Sequence, residues 1–233
     1  MWNDAGRLSV FGVELARALA DRGRPVRWVI ADDGSVARER ERLVVLQREF
    51  AEVYGGVELY FADRHRGKGA VVREAWSLVP EADWLAFVDA DGSIAAGEFL
   101  ELIETAVAAD RSAIAVRVNT ESTRVEASVM REVLHHAYLA LARVILNLRS
   151  ADLQCGGKVM RAADYRLVVG DLREEGFAFD SEMLAALQRR GLGWDEVAVN
   201  WVGKKGGKVS PLRDGLAMVR ALLRIRRRLA AAD

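Results

Sequence analysis

Short apolar runs bounded by turn residues alternate with stretches of helical period, and that alternation restricts the fold of this chain more than any other feature. PVRWVIAD (25–32), GVELYFAD (56–63), DWLAFVDA (83–90), SAIAVRV (112–118) and EVAVNWV (196–202) are rich in Val, Ile and aromatics, as strands are. Between them, residues 9–21, 36–54, 69–78 and 96–109 carry helical periodicity. Such alternation predicts an α/β layer fold, with a mainly parallel central sheet flanked by helices. Ligands collect at the carboxyl ends of strands in sheets of this kind. Acids stand at three such ends: Asp32 and Asp33, then Asp63, then Asp89 and Asp91. One acid at a strand exit is ordinarily a turn former or helix cap. Three acidic exits on one edge point to a site instead.

At 233 residues, 29% of them charged, the chain is ordinary globular material with room for a real core. Its formal charge is zero, so the overall balance speaks for neither a nucleic-acid binder nor an acidic tail. The single cysteine, Cys155, excludes an intrachain disulfide framework and suits a reducing cytoplasm. MWNDAGRLSV lacks the apolar region of a secretory signal, and no uncharged apolar run reaches the ~18–20 residues of a membrane span. His65, His135 and His136 are not at metal-site spacings. WNDAGRL reads as the loop after an opening strand for which Met1 leaves no residues, so the first strand is expected to be missing or truncated.

Beyond residue 120 the pattern changes. Residues 127–148 predict a long helix with Val133, Leu134, Ala137, Tyr138, Leu141, Val144, Ile145 and Leu148 on one apolar stripe. SADLQCGGKVMRAADY predicts a polar loop leading into a helix, and residues 174–191 a loop and a helix closed by Gly191. Between 203 and 228 nine Lys or Arg face Asp214 alone, a net charge of +8. Ser210 and Pro211 suit the start of a helix whose Leu212, Leu216, Val219 and Leu223 form one face, flanked by Arg220, Arg224 and Arg227. A basic amphipathic helix of this kind lies on an anionic membrane surface or packs on the domain with a solvated Arg face. No interleaved aromatics support a nucleic-acid patch. The expected division is a main domain at 1–202 and a basic amphipathic C-terminal segment at 203–233.

Two carboxylates one residue apart after a strand, Asp89 and Asp91, can share a hard cation such as Mg²⁺ or Mn²⁺, completed by substrate phosphates. In RHRGKGAVV, Gly67 and Gly69 admit a close backbone approach, and Lys68 between them offers a point charge suited to phosphate. A helix starting there aims its positive end at the same place. The stretch is neither a dinucleotide fingerprint, since Val72 stands where the third glycine belongs, nor a P-loop.

IADDGS, RGKGAVVREAW, FVDADGS, DLQCGGKVMRA, FAFDSEMLAALQRRG and KVSPLRDGL follow one another in this order. In them the chain resembles the family 2 glycosyltransferases of GT-A fold, in the branch that makes polyprenyl- or dolichyl-phosphate-linked glucose or mannose. The likeness runs from about Asn3 to Arg228. It implies that Asp4, Asp32 and Asp33 lie on the nucleotide side, with Lys68 beside the nucleotide. Asp89 and Asp91 are implied to hold the metal and the diphosphate, Asp91 as the more direct ligand. Asp152, Gln154 and Lys158 are implied to face the donor sugar. Asp180 and Glu182 are implied to sit near the acceptor, where family members keep a general base. Arg117 and the group Lys204, Lys205, Lys208 and Arg213 are implied to clamp phosphates of donor or acceptor.

The resulting expectation is a peripheral enzyme of the cytoplasmic membrane face. It moves a hexose from a UDP- or GDP-sugar to a polyprenyl phosphate with Mg²⁺ or Mn²⁺. A hydroxyl acceptor would need a base, Asp180 or Asp152, whereas a phosphate acceptor is already an anion at neutral pH. A soluble acceptor, a catalytically silent nucleotide-sugar module and nucleotidyl transfer are the competing readings.

Overall fold

The structure, a computed structural model, describes residues 1–23, 25–204 and 211–231. Helix α1 (Ala5–Arg22) buries Ala5, Leu8, Phe11, Leu15 and Leu19, a three-to-four-residue spacing, and ends at Gly23 with φ 64°. β1 (Trp28–Asp32), α2 (Ala37–Val53) and β2 (Val57–Phe61) follow, and β1 and β2 pair in parallel. Met1 continues this edge: its carbonyl accepts the Asp33 amide at 2.7 Å. Next come α3 (Lys68–Ser77), β3 (Trp84–Val88), α4 (Ala96–Ala109) and β4 (Ala113–Val116). All four residues of β4 are buried, as in a central strand.

After β5 (Val125–Glu126) and α5 (Val129–Leu146) comes β6 (Gly157–Arg161), a strand inside the segment expected to be loop and helix. The expectation failed because GKVMR has no alternation; every residue but Arg161 is buried, so the strand is covered on both faces. β6 lies between β3 and β4 and is antiparallel to both. α6 (Ala162–Val168), a 3₁₀ turn at Val169–Asp171 and α7 (Phe179–Arg189) lead to β7 (Asp195–Ala198), which is parallel to β4. β8 (Trp201–Val202) pairs in parallel with β5. Parallel pairings thus prevail, as expected, but they are divided between a two-stranded sheet β1–β2, a four-stranded sheet β3–β6–β4–β7 and the pair β5–β8.

The last helix, α8 (Pro211–Ala231), packs along α5 and against α7. It buries Met218, Ala221, Leu222 and Ile225 in the same core as Tyr138 and Ala142 of α5 and Met183 and Leu184 of α7. Of the apolar face read from the sequence, Leu216 and Leu223 are exposed, so the buried side of α8 is a different one. Leu212 lies outside the described side chains, and Ser210 outside the described residues. Fully burying Leu222 and Ile225 contributes roughly 1.5–3 kcal/mol each, more than the ~0–1 kcal/mol of an exposed ion pair. Apolar contact thus holds α8 to the domain together with the ion pairs of Arg224 and Arg228 to the buried Glu174 and Glu182.

Candidate active site

The carboxyl ends of β1, β3 and β4, the loop entering β6 and the N-termini of α3 and α7 gather the candidate residues on one edge. Two basic side chains tie the acids together there. Lys68 Nζ lies 3.1 Å from Asp89 Oδ1 and 3.3 Å from Asp180 Oδ2, above the Phe87 ring. Burial would push the Lys68 ammonium down, but Asp180 and Asp89 outweigh it and hold its pKa raised, so it is a fixed cation. Arg7 forms the second tie. Its Nε donates to Asp4 Oδ1 at 2.8 Å and its Nη1 to Asp91 Oδ2 at 3.1 Å. Arg7 was not singled out from the sequence. Its signal was its place in the first turn of α1, three residues after Asp4.

The turn before α3 depends on glycine. Gly67 has φ 123°, and a Cβ there would stand 2.6 Å from the Glu175 carbonyl oxygen. Asp33 fastens the same turn by accepting the amides of Arg66 at 2.9 Å and Gly67 at 2.8 Å. His65 Nδ1 is 2.8 Å from Asp33 Oδ2, and the His65 ring stacks on Trp2. Asp33 is thus buried as a brace for the turn that presents Lys68. Asp32 is fully buried. Its Oδ2 accepts the Ser35 amide at 3.0 Å and stands 3.2 Å from Arg40 Nε, while its Oδ1 has no hydrogen-bond partner.

Asp89 is exposed and Asp91 half-buried. Asp91 Oδ1 accepts the Ser93 amide at 2.9 Å, which shapes the DADGS loop as an Asx turn. A Cβ on Gly156 would stand 2.3 Å from Asp89 Oδ2, so only glycine lets the β6 entry loop pass this carboxylate. Two accessible carboxylates on one short loop are the hard oxygen donors that Mg²⁺ or Mn²⁺ takes. Among the described residues no group of three or more His, Cys, Asp or Glu is placed to hold a metal ion.

Asp152 is fully buried. It takes a two-pronged contact from Arg117, Nε to Oδ2 at 2.6 Å and Nη2 to Oδ1 at 3.0 Å, and accepts the Gln154 and Cys155 amides. Burial would raise its pKa, yet Arg117 holds it below the usual carboxylate range. Arg117 also lies over the Trp201 ring, and its Nη2 is 3.1 Å from His135 Nδ1. Gln154 Oε1 is 3.3 Å from the same His135 nitrogen. Burial lowers the His135 pKa, so the ring is neutral near pH 7. Cys155 is inert, its thiol pushed up to about 12 by burial.

Lys158, expected to face the donor sugar, has no exposed surface. Its Nζ donates to the Cys155 carbonyl at 2.8 Å and lies 3.2 Å from Asp180 Oδ1, off the hydrogen-bond line, so that oxygen has an ion-pair contact but no hydrogen bond. Glu182 is buried too. Its Oε2 accepts the amides of Arg173 at 2.8 Å and Glu174 at 2.7 Å, and its Oε1 accepts from Arg228 at 2.6 Å. Asp180 and Glu182 thus share a helix but serve different neighbours.

Of the expected phosphate clamp, Lys204 is exposed, and the chain reaching it passes the DADGS loop, where the Val202 amide donates to the Ser93 carbonyl at 3.0 Å. Lys205 and Lys208 lie outside the described residues, and Arg213 falls within α8 with its side chain outside them. A separate cavity of about 750 Å³, lined by Arg111, Arg143, Arg149 and Trp194, opens where β4 and β7 begin, at the opposite edge from the carboxylates.

The chain is 27% identical over 243 residues to the dolichyl-phosphate beta-glucosyltransferase of Saccharomyces cerevisiae, covering 97% of this chain and 72% of that protein. It spans 60 to 62% of three further relatives that carry the same description. Mannosyl-3-phosphoglycerate synthase from Rubrobacter xylanophilus superposes with a TM-score of 0.66 at 18% identity, over 100% of this chain and 72% of that one. Glucosyl-3-phosphoglycerate synthase from Mycobacterium tuberculosis, solved with Mn²⁺, UDP-glucose and phosphoglyceric acid, gives 0.57 at 15% identity over 85% and 67%. Both have the GT-A architecture expected here. The model of the family described as glycosyl transferase family 2 matches residues 14–166, and this chain belongs to that family.

Proposed function

We propose that this chain is an inverting hexosyltransferase that carries a sugar from a nucleoside-diphosphate donor to a polyprenyl phosphate at a membrane surface. The observation that carries this reading is the state of the candidate bases. Asp180 stands between Lys68 and Lys158, Asp152 is gripped by Arg117, and Glu182 is spent on two amides and Arg228. For Asp152, Arg117 outweighs burial and holds the carboxyl below its usual range, which favours the anion and makes it a poor proton acceptor. A hydroxyl acceptor needs a base in its transition state, whereas a phosphate monoester, with a second pKa of about 6, is already the nucleophile at neutral pH. Positive charge is what such an acceptor needs: Lys204 is exposed beside the edge, and Arg117 and Lys68 would be shared between the acceptor or donor phosphates and the carboxylates they pair with.

In the transfer, an acceptor phosphate oxygen forms a bond to the anomeric carbon from the face opposite the leaving group. The bond from that carbon to the donor diphosphate breaks, and its electron pair departs with the nucleoside diphosphate. No proton has to move. Lys68, fixed at the N-terminus of α3 by Asp89 and Asp180, meets the charge growing on the diphosphate. Arg7 and the Ser93 amide orient Asp91, and Gly156 leaves room for Asp89. A bound Mg²⁺ or Mn²⁺ would neutralise diphosphate charge at Asp89 and Asp91.

The acceptor is supported by relatives described as dolichyl-phosphate beta-glucosyltransferases, and a UDP-sugar with Mn²⁺ by the complex of the mycobacterial neighbour. Action from the cytoplasmic face as a peripheral protein belongs to the same proposal; no described helix is long and apolar enough to cross a membrane. The test is transfer of labelled hexose from a panel of UDP- and GDP-sugars to polyprenyl phosphate in detergent, with and without Mn²⁺. Metal-dependent transfer that falls by at least about 100-fold in Asp91→Ala is expected. Absence of transfer from every donor to any lipid phosphate overturns the acceptor assignment.

A further inference from the structure

Both oxygens of Asp91 are addressed by the protein itself. Oδ1 accepts the Ser93 amide at 2.9 Å, and Oδ2 accepts from Arg7 Nη1 at 3.1 Å. On the same loop, Asp89 Oδ1 stands 3.1 Å from Lys68 Nζ. The two carboxylates suited to a hard divalent cation are therefore each paired with a fixed positive charge. Lys68 is placed to serve the diphosphate, whereas Arg7 faces two carboxylates, Asp4 and Asp91.

Arg7 is held where it stands. Its Nε donates to Asp4 Oδ1 at 2.8 Å, its Nη2 pairs with Asp4 Oδ2, and the bond to Asp4 holds its pKa raised. It belongs to the first turn of α1, whose Leu8 and Phe11 are buried. A Cβ on Gly92 would lie 3.3 Å from Phe11 Cβ, so α1 and the DADGS loop are packed on one another. Asp4 grips one side of the guanidinium and leaves Nη1 as the prong aimed at Asp91.

A divalent cation on Asp91 Oδ2 would sit about 2.0–2.3 Å from an atom that already accepts from this guanidinium. Like charges meeting at one half-buried oxygen repel, with less water between them than at an open surface. A nucleoside diphosphate reverses that balance, because its own negative charge can draw Nη1 from Asp91 and leave Oδ2 to the cation. We propose that Arg7 is a built-in competitor of the divalent cation at Asp91, released by the donor diphosphate, so that cation and donor enter the site together. This rests on the reading of Asp89 and Asp91 as cation ligands. By linkage each ligand then raises the affinity of the other, and Arg7 supplies part of that coupling.

The test is Mn²⁺ binding by the full chain, followed through the electron paramagnetic resonance signal of the free ion, without nucleotide and with saturating UDP or GDP. The wild-type chain is expected to bind Mn²⁺ at least about tenfold more tightly with one of these nucleotides than without. In Arg7→Met, affinity for Mn²⁺ alone rises roughly tenfold, while affinity beside the nucleotide changes by less than about threefold. A residue that merely braced Asp91 would give the opposite sign, since its loss would loosen the ligand and weaken the ion in both states. Arg27→Met, which removes a guanidinium paired with Glu58 before β1, leaves all these values unchanged. An unchanged melting temperature shows that a variant is folded, and Arg7→Gln, which retains an amide donor, serves if Arg7→Met melts early. Weaker or unchanged binding of Mn²⁺ alone by a folded Arg7 variant overturns the proposal, as does an equal gain in Arg27→Met. Tight Mn²⁺ binding beside the nucleotide, unaltered in both states by Arg7→Met, removes Arg7 and leaves the cation reading standing. No Mn²⁺ binding by any form in either state would sink both.

Discussion

Lys68 and Lys158 both face Asp180, yet only Lys68 has any surface of its own. Lys158 sits on β6 opposite Phe87, with its chain inside the sheet layer and its ammonium within reach of the Cys155 carbonyl and Asp180. Its work is therefore to position Asp180 and the β6 entry loop. Lys158→Met keeps the volume and removes the charge, leaving Asp180 to Lys68 alone. Breaking a buried pair costs ~3–5 kcal/mol, and the remaining partner puts the expected loss at about 3 kcal/mol in urea unfolding. A loss below about 1 kcal/mol would show that Lys68 suffices to hold the aspartate. From the sequence, GGKVMR showed a lysine near a loop; it could not show that the lysine points inward, because that depends on which strand pairs with which.

At the scale of elements, the helices and the strands with bounding turn residues were legible. The span expected at 96–109 matches α4 residue for residue, and 36–54 differs from α2 by one residue at each end. β6 was not legible, since a short fully buried strand has no period to read. The buried side of α8 was not legible for a related reason. Leu216 and Leu223 are as apolar as Leu222 and Ile225, and only the neighbours α5 and α7 decide which stripe is covered. The candidate site was legible as acids at strand exits; of the cations that partner them, Arg7 reaches Asp91 across 84 residues and Arg40 meets Asp32 across the turn between β1 and α2, contacts that only the folded chain reveals.

The anchoring of α8 carries a pH dependence. Burial would raise the Glu174 carboxyl above its usual 4.5, but Arg224 and Arg228 outweigh that and hold it lowered. A depressed value means the contribution is complete above the unfolded pKa and is lost as pH falls through the folded one. Pepsin cleavage within α8 is therefore expected to accelerate as pH drops below 4.5, and in Glu174→Gln to be fast already above it. Cleavage that ignores this substitution would show that the apolar contacts of α8 alone govern its release.

At the scale of the whole molecule, a donor bound as proposed would touch the start of α3 and the loops after β1 and β3, two strands of separate sheets, and would stabilise the fold as a unit. Saturation at 100 times the dissociation constant adds ~2.7 kcal/mol, equivalent to about 5–10 °C in melting temperature for a chain of this size. That shift is expected for a UDP- or GDP-sugar with Mn²⁺, and not for the sugar nucleotide alone. An equal shift without the ion would mean that Lys68 and the α3 terminus bind the diphosphate unaided.

Glu174 deserves a last consequence, for it is addressed from two directions at once. Its carbonyl oxygen receives Arg73 of α3 at 2.8 Å and lies where a side chain on Gly69 would have to go, while its carboxylate receives the outermost helix. Through this one residue, the C-terminal helix and the first turn of α3, where Lys68 stands, share a single anchor.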